Sequence, residues 1–373
     1  GMGVGISAGG LAGHVAAWGA VGTVSSVDLR RLHPDLLSAT EHLPLDETHL
    51  AASKAAINAA NLCALDREIQ KAKGLAAGRG LVAVNIMRAL EAYESHVAQA
   101  LASGVDALVV GAGLPLDLPD LTQDAPHVAL IPILSDARGV QLLLRKWAKK
   151  GRMPDAIVLE HPGWAGGHLG AAKVTDVHDD RFDFETVLPA TRAVLQDMGL
   201  DIPLIAAGGI EGLADIQRLQ ALGASGVQLG TAFAVTQESD AHPNFKAVLA
   251  GAKPEDLVEF VSVAGLPARA VRNHWLDKYL RILPKLADVA HAKPCKMGFD
   301  CLAKCGFRDG QATLGQFCID QQLGHALQGH TEQGLFFRGA GRLPFGKQIR
   351  PVADLMQWLL TGQHPAATLG VIA

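Results

Sequence analysis

Eight short apolar runs punctuate the first 231 residues, at 3–6, 21–26, 81–87, 107–112, 129–135, 156–160, 203–209 and 226–231. Each is rich in Val, Ile, Leu and Ala and lacks the alternation of a half-exposed strand, as expected for strands buried on both faces of a parallel sheet. Between them, residues 50–72, 93–103, 141–150, 184–198 and 213–222 carry apolar positions at helical spacing and are long enough for crossover helices. Eight such units predict an α/β fold, a closed (β/α)8 TIM barrel, since an open doubly wound sheet usually stops at five or six strands. The first strand begins almost at the terminus, which predicts that an upstream piece of it is missing. Gly1 ahead of Met2 reads as an appended residue.

After Thr231 the pattern changes. The expected organisation is a barrel over 2–235, a helical lid over 236–292 punctuated by Pro243, Pro254, Pro267 and Pro284, and an irregular Cys-containing extension over 293–350. An amphipathic segment near 351–361 (PVADLMQWLLT) is expected to return to the barrel as its last outer helix.

Composition narrows the partners. The 373 residues are 49 % hydrophobic and 19 % charged, with a formal net charge of -4, so no basic face invites nucleic acid or an anionic membrane. A small-molecule substrate is favoured. No apolar stretch reaches the roughly 20 residues of a membrane span. Five cysteines in so long a chain are too few for a secreted disulfide scaffold, and no signal-peptide pattern opens the chain, which points to the cytoplasm.

Candidate chemistry lies where barrel strands end. The seventh run closes on Gly208 and Gly209 and the eighth on Gly230 and Thr231, where glycine lets backbone N–H groups approach a phosphate. The alternative is that these glycines only make tight turns. Asn85 interrupts an apolar run and Ser25 ends another; each either satisfies a neighbouring backbone or faces a ligand. In HPGWAGGHLG (161–170), Gly166 and Gly167 strip away bulk ahead of His168, whose ordinary pKa near 6.5 suits acid–base work. The first alternative for His168 is a loop histidine bonded to a carbonyl; the weaker one is a metal ligand with His161 or His178, since neither spacing is a zinc pattern.

Together, AGGHLG (165–170), IAAGGI (205–210), GVQLGTAF (226–233) and GLPARAVRN (265–273) resemble the nitronate monooxygenase family, and the likeness spans most of residues 2–275. The resemblance implies an FMN enzyme on a TIM barrel that oxidises nitronates or nitroalkanes with O2 to carbonyl compounds and nitrite. It implies His168 as the catalytic residue and a flavin site of Gly3, Val4, Gly5, Ser25, Asn85, Lys146, Gly166, Gly167, Gly208, Gly209, Gly230 and Thr231. Trp164 is expected to wall the substrate pocket, and a homodimer is admitted. Residues 161–164 depart from the family's usual acidic stretch. An NAD(P)H-dependent enoyl-acyl-carrier-protein reductase of the related flavin type would share the same blocks.

Cys295, Cys301, Cys305 and Cys318 cluster as C-x5-C-x3-C-x12-C, while Cys63 stands alone. This raises a second class of function, a cysteine-centred metal or redox module on an inactive barrel. The spacing fits no common zinc pattern, so buried reduced thiols are the expectation and no metal ligand is assigned.

Overall fold

The computed structural model describes residues 1–365. Its strands are β1 (Val21–Ser25), β2 (Leu81–Met87), β3 (Ala107–Gly111), β4 (Ala129–Leu134), β5 (Ile157–Glu160), the two-residue β6 (Gly167–His168), β7 (Leu204–Ala207) and β8 (Gly226–Gln228). All but β6 form one parallel sheet in the order β1-β2-β3-β4-β5-β7-β8, curled as a TIM-barrel-like α/β fold. Ala83, Ala107 and Val109 pack inside the curl, with Ala129, Ile131 and Ile133 against them. The larger core lies between sheet and helices, where Leu65 and Ile69 of helix Leu50–Ala76, and Leu143, Leu144 and Trp147 of helix Ala137–Ala148, meet the outward faces of the strands.

The sheet has seven strands among the described residues, not eight. Residues 3–6, expected as the first strand, form a turn in which the N–H groups of Ile6 and Ser7 both donate to Met2 O at 3.2 and 3.0 Å. Buried Val4 and Ile6 gave the run its apolar look, but Gly5 at φ +67° bends the backbone away from an extended path. Helix Gly9–Ala16 follows and crosses β1 so closely that a Cβ on Gly22 would lie 1.8 Å from Ala12 O.

Helix Val352–Thr361 does return to the barrel. Its Val352, Leu355, Met356 and Leu359 pack with Leu11, Val15, Ala232 and Phe233, bringing the two ends of the sheet's helical jacket together.

Residues 236–292 are not all helical. Between helices Pro243–Gly251 and His274–Asp288 lies an antiparallel hairpin of β9 (Leu257–Val261) and β10 (Pro267–Val271), and β6 pairs with β10 to complete a three-stranded sheet. Pro267 starts a strand instead of punctuating a helix. The turn is set by Gly265 at φ +79°, whose N–H donates to Ser262 O. Within the extension, helix Ile319–Leu327 is regular and much of the rest is irregular.

Candidate active site

The strand register levels the candidate residues at one rim: Ser25 pairs with Asn85, Asn85 with Val109, Glu160 with Ala207, and Ala207 with Gln228. This is the C-terminal rim, where barrels of this kind keep their chemistry.

His168 sits just past the β5 loop because β6 is clamped against β10, with His168 opposite Ala268 and Gly167 opposite Arg269. Leu169 N–H donates to Pro267 O at 2.8 Å. Gly170 is required by crowding: a Cβ there would meet Ser135 Oγ at 1.8 Å. The imidazole Nε2 of His168 is buried with no hydrogen-bond partner, and burial drops its pKa to about 4. The ring is therefore neutral at pH 7. It is not the loop histidine bonded to a carbonyl.

His161, seven residues earlier, shows the opposite arrangement. Its Nδ1 accepts from Gly163 N–H at 3.1 Å, which places the proton on Nε2 for Asp183 Oδ1 at 3.1 Å. His178 is paired with Glu259. Both histidines are thus committed elsewhere, and among the described residues no group of three or more His, Cys, Asp and Glu side chains is placed to hold a metal ion.

The loop that carries His168 is held from behind by Arg269, only 2 % exposed. Its guanidinium donates to Pro162 O at 3.1 Å and to Ala165 O, and its other nitrogens reach Glu259 Oε1. A charged residue inside the apolar run LPARAV was the one signal in the sequence for this role.

Gly208 and Gly209 turn the chain after β7 with φ +104° and +70°. Their N–H groups, and that of Gly230, find no partner among the described residues, so three donors converge on this rim unspent. A strap at 336–342 from the C-terminal extension crosses here. Gly339 N–H donates to Thr231 Oγ1 at 3.0 Å, Ala340 N–H donates to Trp164 O at 3.0 Å, and a Cβ on Gly341 would lie 3.4 Å from Gly209 Cα. Gly339 and Gly341 are at most roughly 7 Å apart, so one short piece of the strap touches both loops.

Trp164 is 45 % exposed and lies on the Gly208–Gly209 turn, where a Cβ on Gly209 would meet its Cγ at 2.8 Å. The indole is edge-on to His161, and it is Phe337 of the strap whose ring meets His168, with centroids 5.7 Å apart. The bare backbone of Gly209 leaves room for the indole, which lies on the Gly208–Gly209 turn.

On the opposite side of the rim, a Cβ on Gly3 would lie 3.0 Å from Ser25 Oγ, and Ser25 N–H donates to Ser7 O. Asn85 spends its amide donor on Val109 O at 3.0 Å, which leaves its oxygen facing the N-terminal turn. Gly5 backs onto Leu32 and Leu327, away from the others. Lys146 is not brought to the site. It is exposed on helix Ala137–Ala148, because Val140, Leu143, Leu144 and Trp147 take the buried face and leave 145 and 146 outside. Glu160 ends β5 at the rim, and burial pushes its carboxyl up to about 7. An acid closing an apolar run was its signal in the sequence.

The four clustered cysteines are free and half-buried. Burial raises the thiols of Cys301 and Cys318, the latter to about 11, so both stay protonated.

A glycine-rich rim beside an unpartnered neutral histidine, on a barrel of this topology, has the layout of a TIM-barrel enzyme site. The model of the nitronate monooxygenase family matches residues 1–362, and the chain belongs to this family. A probable nitronate monooxygenase of Staphylococcus saprophyticus is 34 % identical over 124 residues, which is 33 % of this chain and 33 % of that protein. The chain thus spans about a third of the length of that relative. Among solved structures, FabK from Thermotoga maritima is similar with a TM-score of 0.64 at 20 % identity, covering 95 % of this chain and 88 % of that one. Nitroalkane oxidase from Streptomyces ansochromogenes aligns with a TM-score of 0.62 at 19 % identity, covering 96 % and 92 %. At these identities the two structures speak for the fold alone. No helix among the described residues is long and apolar enough to cross a membrane.

Proposed function

We propose that the protein is an FMN-dependent oxidoreductase that converts alkyl nitronates and nitroalkanes, with O2, to carbonyl compounds and nitrite, and that His168 is the base for the neutral substrates. The observation that carries this reading is the buried, unpartnered Nε2 of a neutral His168 in a glycine loop that adjoins the unspent N–H groups of Gly208, Gly209 and Gly230.

The residues present fit the cofactor. Gly208, Gly209, Gly230 and Thr231 would hold its phosphate, and Gly3, Ser25 and Asn85 line the rim opposite. When bound, FMN supplies the electron acceptor of the reaction. The chain supplies the proton chemistry. A neutral nitroalkane must lose a proton from the carbon beside the nitro group, and His168 Nε2 takes it; a nitronate has already lost that proton.

A base of pKa about 4 is usable here because of the charge it creates. Burial costs the imidazolium about 3 kcal/mol relative to its ordinary pKa. A nitronate anion formed about 4 Å away returns about 4 kcal/mol at an effective dielectric of 20. The ion pair therefore offsets the desolvation, while imidazole with no substrate beside it stays uncharged.

The test is turnover of FMN-loaded protein on a neutral nitroalkane and on its pre-formed nitronate. His168→Asn should cut the first by about 10² to 10⁴, keep flavin bound, and spare the second. Equal turnover of the neutral substrate by variant and parent would remove His168 from the mechanism. NADH consumption that requires an enoyl thioester, with nitronates untouched, would replace the nitronate reading by a reductase.

A further inference from the structure

The strap at 336–342 does more than cross the rim. Its backbone is fixed at several points near His168: Phe337 bridges Ala270 of β10, Val271 N–H donates to Phe336 O at 2.8 Å, and the bonds to Thr231 and Trp164 hold the far end. Arg338 anchors the middle from below, donating to Leu249 O at 2.9 Å near the end of helix Pro243–Gly251 and to Gly339 O at 2.7 Å. Gly166 must lack a side chain to let the strap this close, since a Cβ there would be 2.4 Å from the Arg338 carbonyl carbon.

These fixings leave one side chain aimed at the site. We propose that Phe337 is a positioning residue for His168: the strap lays its ring against the imidazole and over Gly167, and so keeps water and charge away from the base. The ring centroids are 5.7 Å apart at a 54° tilt, and a Cβ on Gly167 would touch Phe337 Cδ2 at 3.6 Å.

The charged side chains of the elements packed around His168 that have partners face those partners. On β10, Arg269 faces Glu259 of β9 and two loop carbonyls; in the loop, His161 faces Asp183; on the strap, Arg338 faces carbonyls; His178 faces Glu259. Ser135, beside Gly170 at the end of β4, is uncharged, and Glu160 ends the neighbouring β5. Burial alone sets the protonation of His168, and an apolar ring is what such burial requires. The extension, distant in sequence from the barrel's motifs, thereby tunes the group on which the proposed activity rests.

The experiment compares the FMN-loaded parent with Phe337→Ala and Phe337→Leu by NMR titration of the His168 ring, identified from the signal that His168→Asn lacks. The acid limb of turnover on a neutral nitroalkane is followed in parallel. Phe337→Ala should raise the titration midpoint of His168 by about one unit or more, toward 6.5, and move the acid limb with it. Phe337→Leu, which restores apolar bulk, should return both most of the way. Should the alanine variant fail to fold, a midpoint in Phe337→Leu between those of parent and ordinary histidine still supports the shielding role. An unchanged midpoint in Phe337→Ala, or in the polar Phe337→Gln should the alanine variant fail to fold, overturns it. A shifted midpoint with an unmoved acid limb upholds the role of Phe337 and removes His168 as the base, so the two ideas fail separately.

Discussion

Two glycine-rich stretches approach the same rim, residues 1–7 and residues 163–170, and they are ordered by different means. The first folds on itself: Met2 O takes the N–H groups of Ile6 and Ser7, and Ser7 Oγ accepts from Met2 N–H at 2.8 Å. The second turns on itself only at its start, where the N–H groups of Gly163, Trp164 and Ala165 donate to His161, and from Gly166 onward it is held from outside by β10 and by the strap, with Arg269 bracing its carbonyls. Glycine serves turning in one and close approach in the other. The lesson is that similar composition gives a locally determined turn where backbone partners are near in sequence, and an imposed loop where they are a hundred residues away.

The sharpest way to break this comparison is Arg269→Met. The substitution leaves the carbonyls of Pro162 and Ala165 without their donor and strips Glu259 of its buried partner, a loss of about 3–5 kcal/mol by chemical unfolding. An unfolding free energy within about 0.5 kcal/mol of the parent would mean that the loop orders itself.

The next effect sharpens it through pH. His168 has a folded pKa of about 4 against an ordinary 6.5, so the unfolded chain binds the extra proton first as pH falls. Stability tied to this residue is intact above pH 6.5 and drains away down to pH 4, by up to about 3 kcal/mol. His168→Asn should flatten the parent's acid-side decline by that order between pH 6.5 and 4. An identical slope in parent and variant would place the imidazole in contact with water.

The smallest effect belongs to the self-folded turn. Gly3→Ala sets a Cβ 3.0 Å from Ser25 Oγ, a contact relieved by a few tenths of an ångström, and should cost no more than about 1 kcal/mol. A loss as large as that of Arg269→Met would show the turn to be as tightly imposed as the His168 loop.

How much of this was legible in the sequence follows the same division. The seven parallel strands were legible because each lies in a short, mostly apolar run without the alternation of a half-exposed strand, and helix Val352–Thr361 because its apolar face repeats at helical spacing. The run at 3–6 misled because Val4 and Ile6 are buried as a strand's side chains would be, and burial alone does not separate a strand from a packed turn. Pro267 misled because a proline that opens a strand looks, in one dimension, like one that ends a helix. At the site, the glycine motifs and His168 were legible as local spacing. Lys146 lies on the exposed face of its helix, a placement carried by the spacing of Val140, Leu143, Leu144 and Trp147. Phe337 and the strap left no mark that spacing could reveal, since their role exists only through partners such as Thr231, 108 residues from Gly339.

That separation has a consequence for the order in which the molecule comes to be. A chain elongating on a ribosome completes β8 with Gln228 and has every strand of the sheet, yet it still lacks the residue that will meet Thr231. Closing so long a loop carries an entropic cost that only a preformed docking surface repays. The barrel is therefore the template and the strap the late arrival, so a nascent chain holds its cradle and its histidine open to solvent until the strap is made.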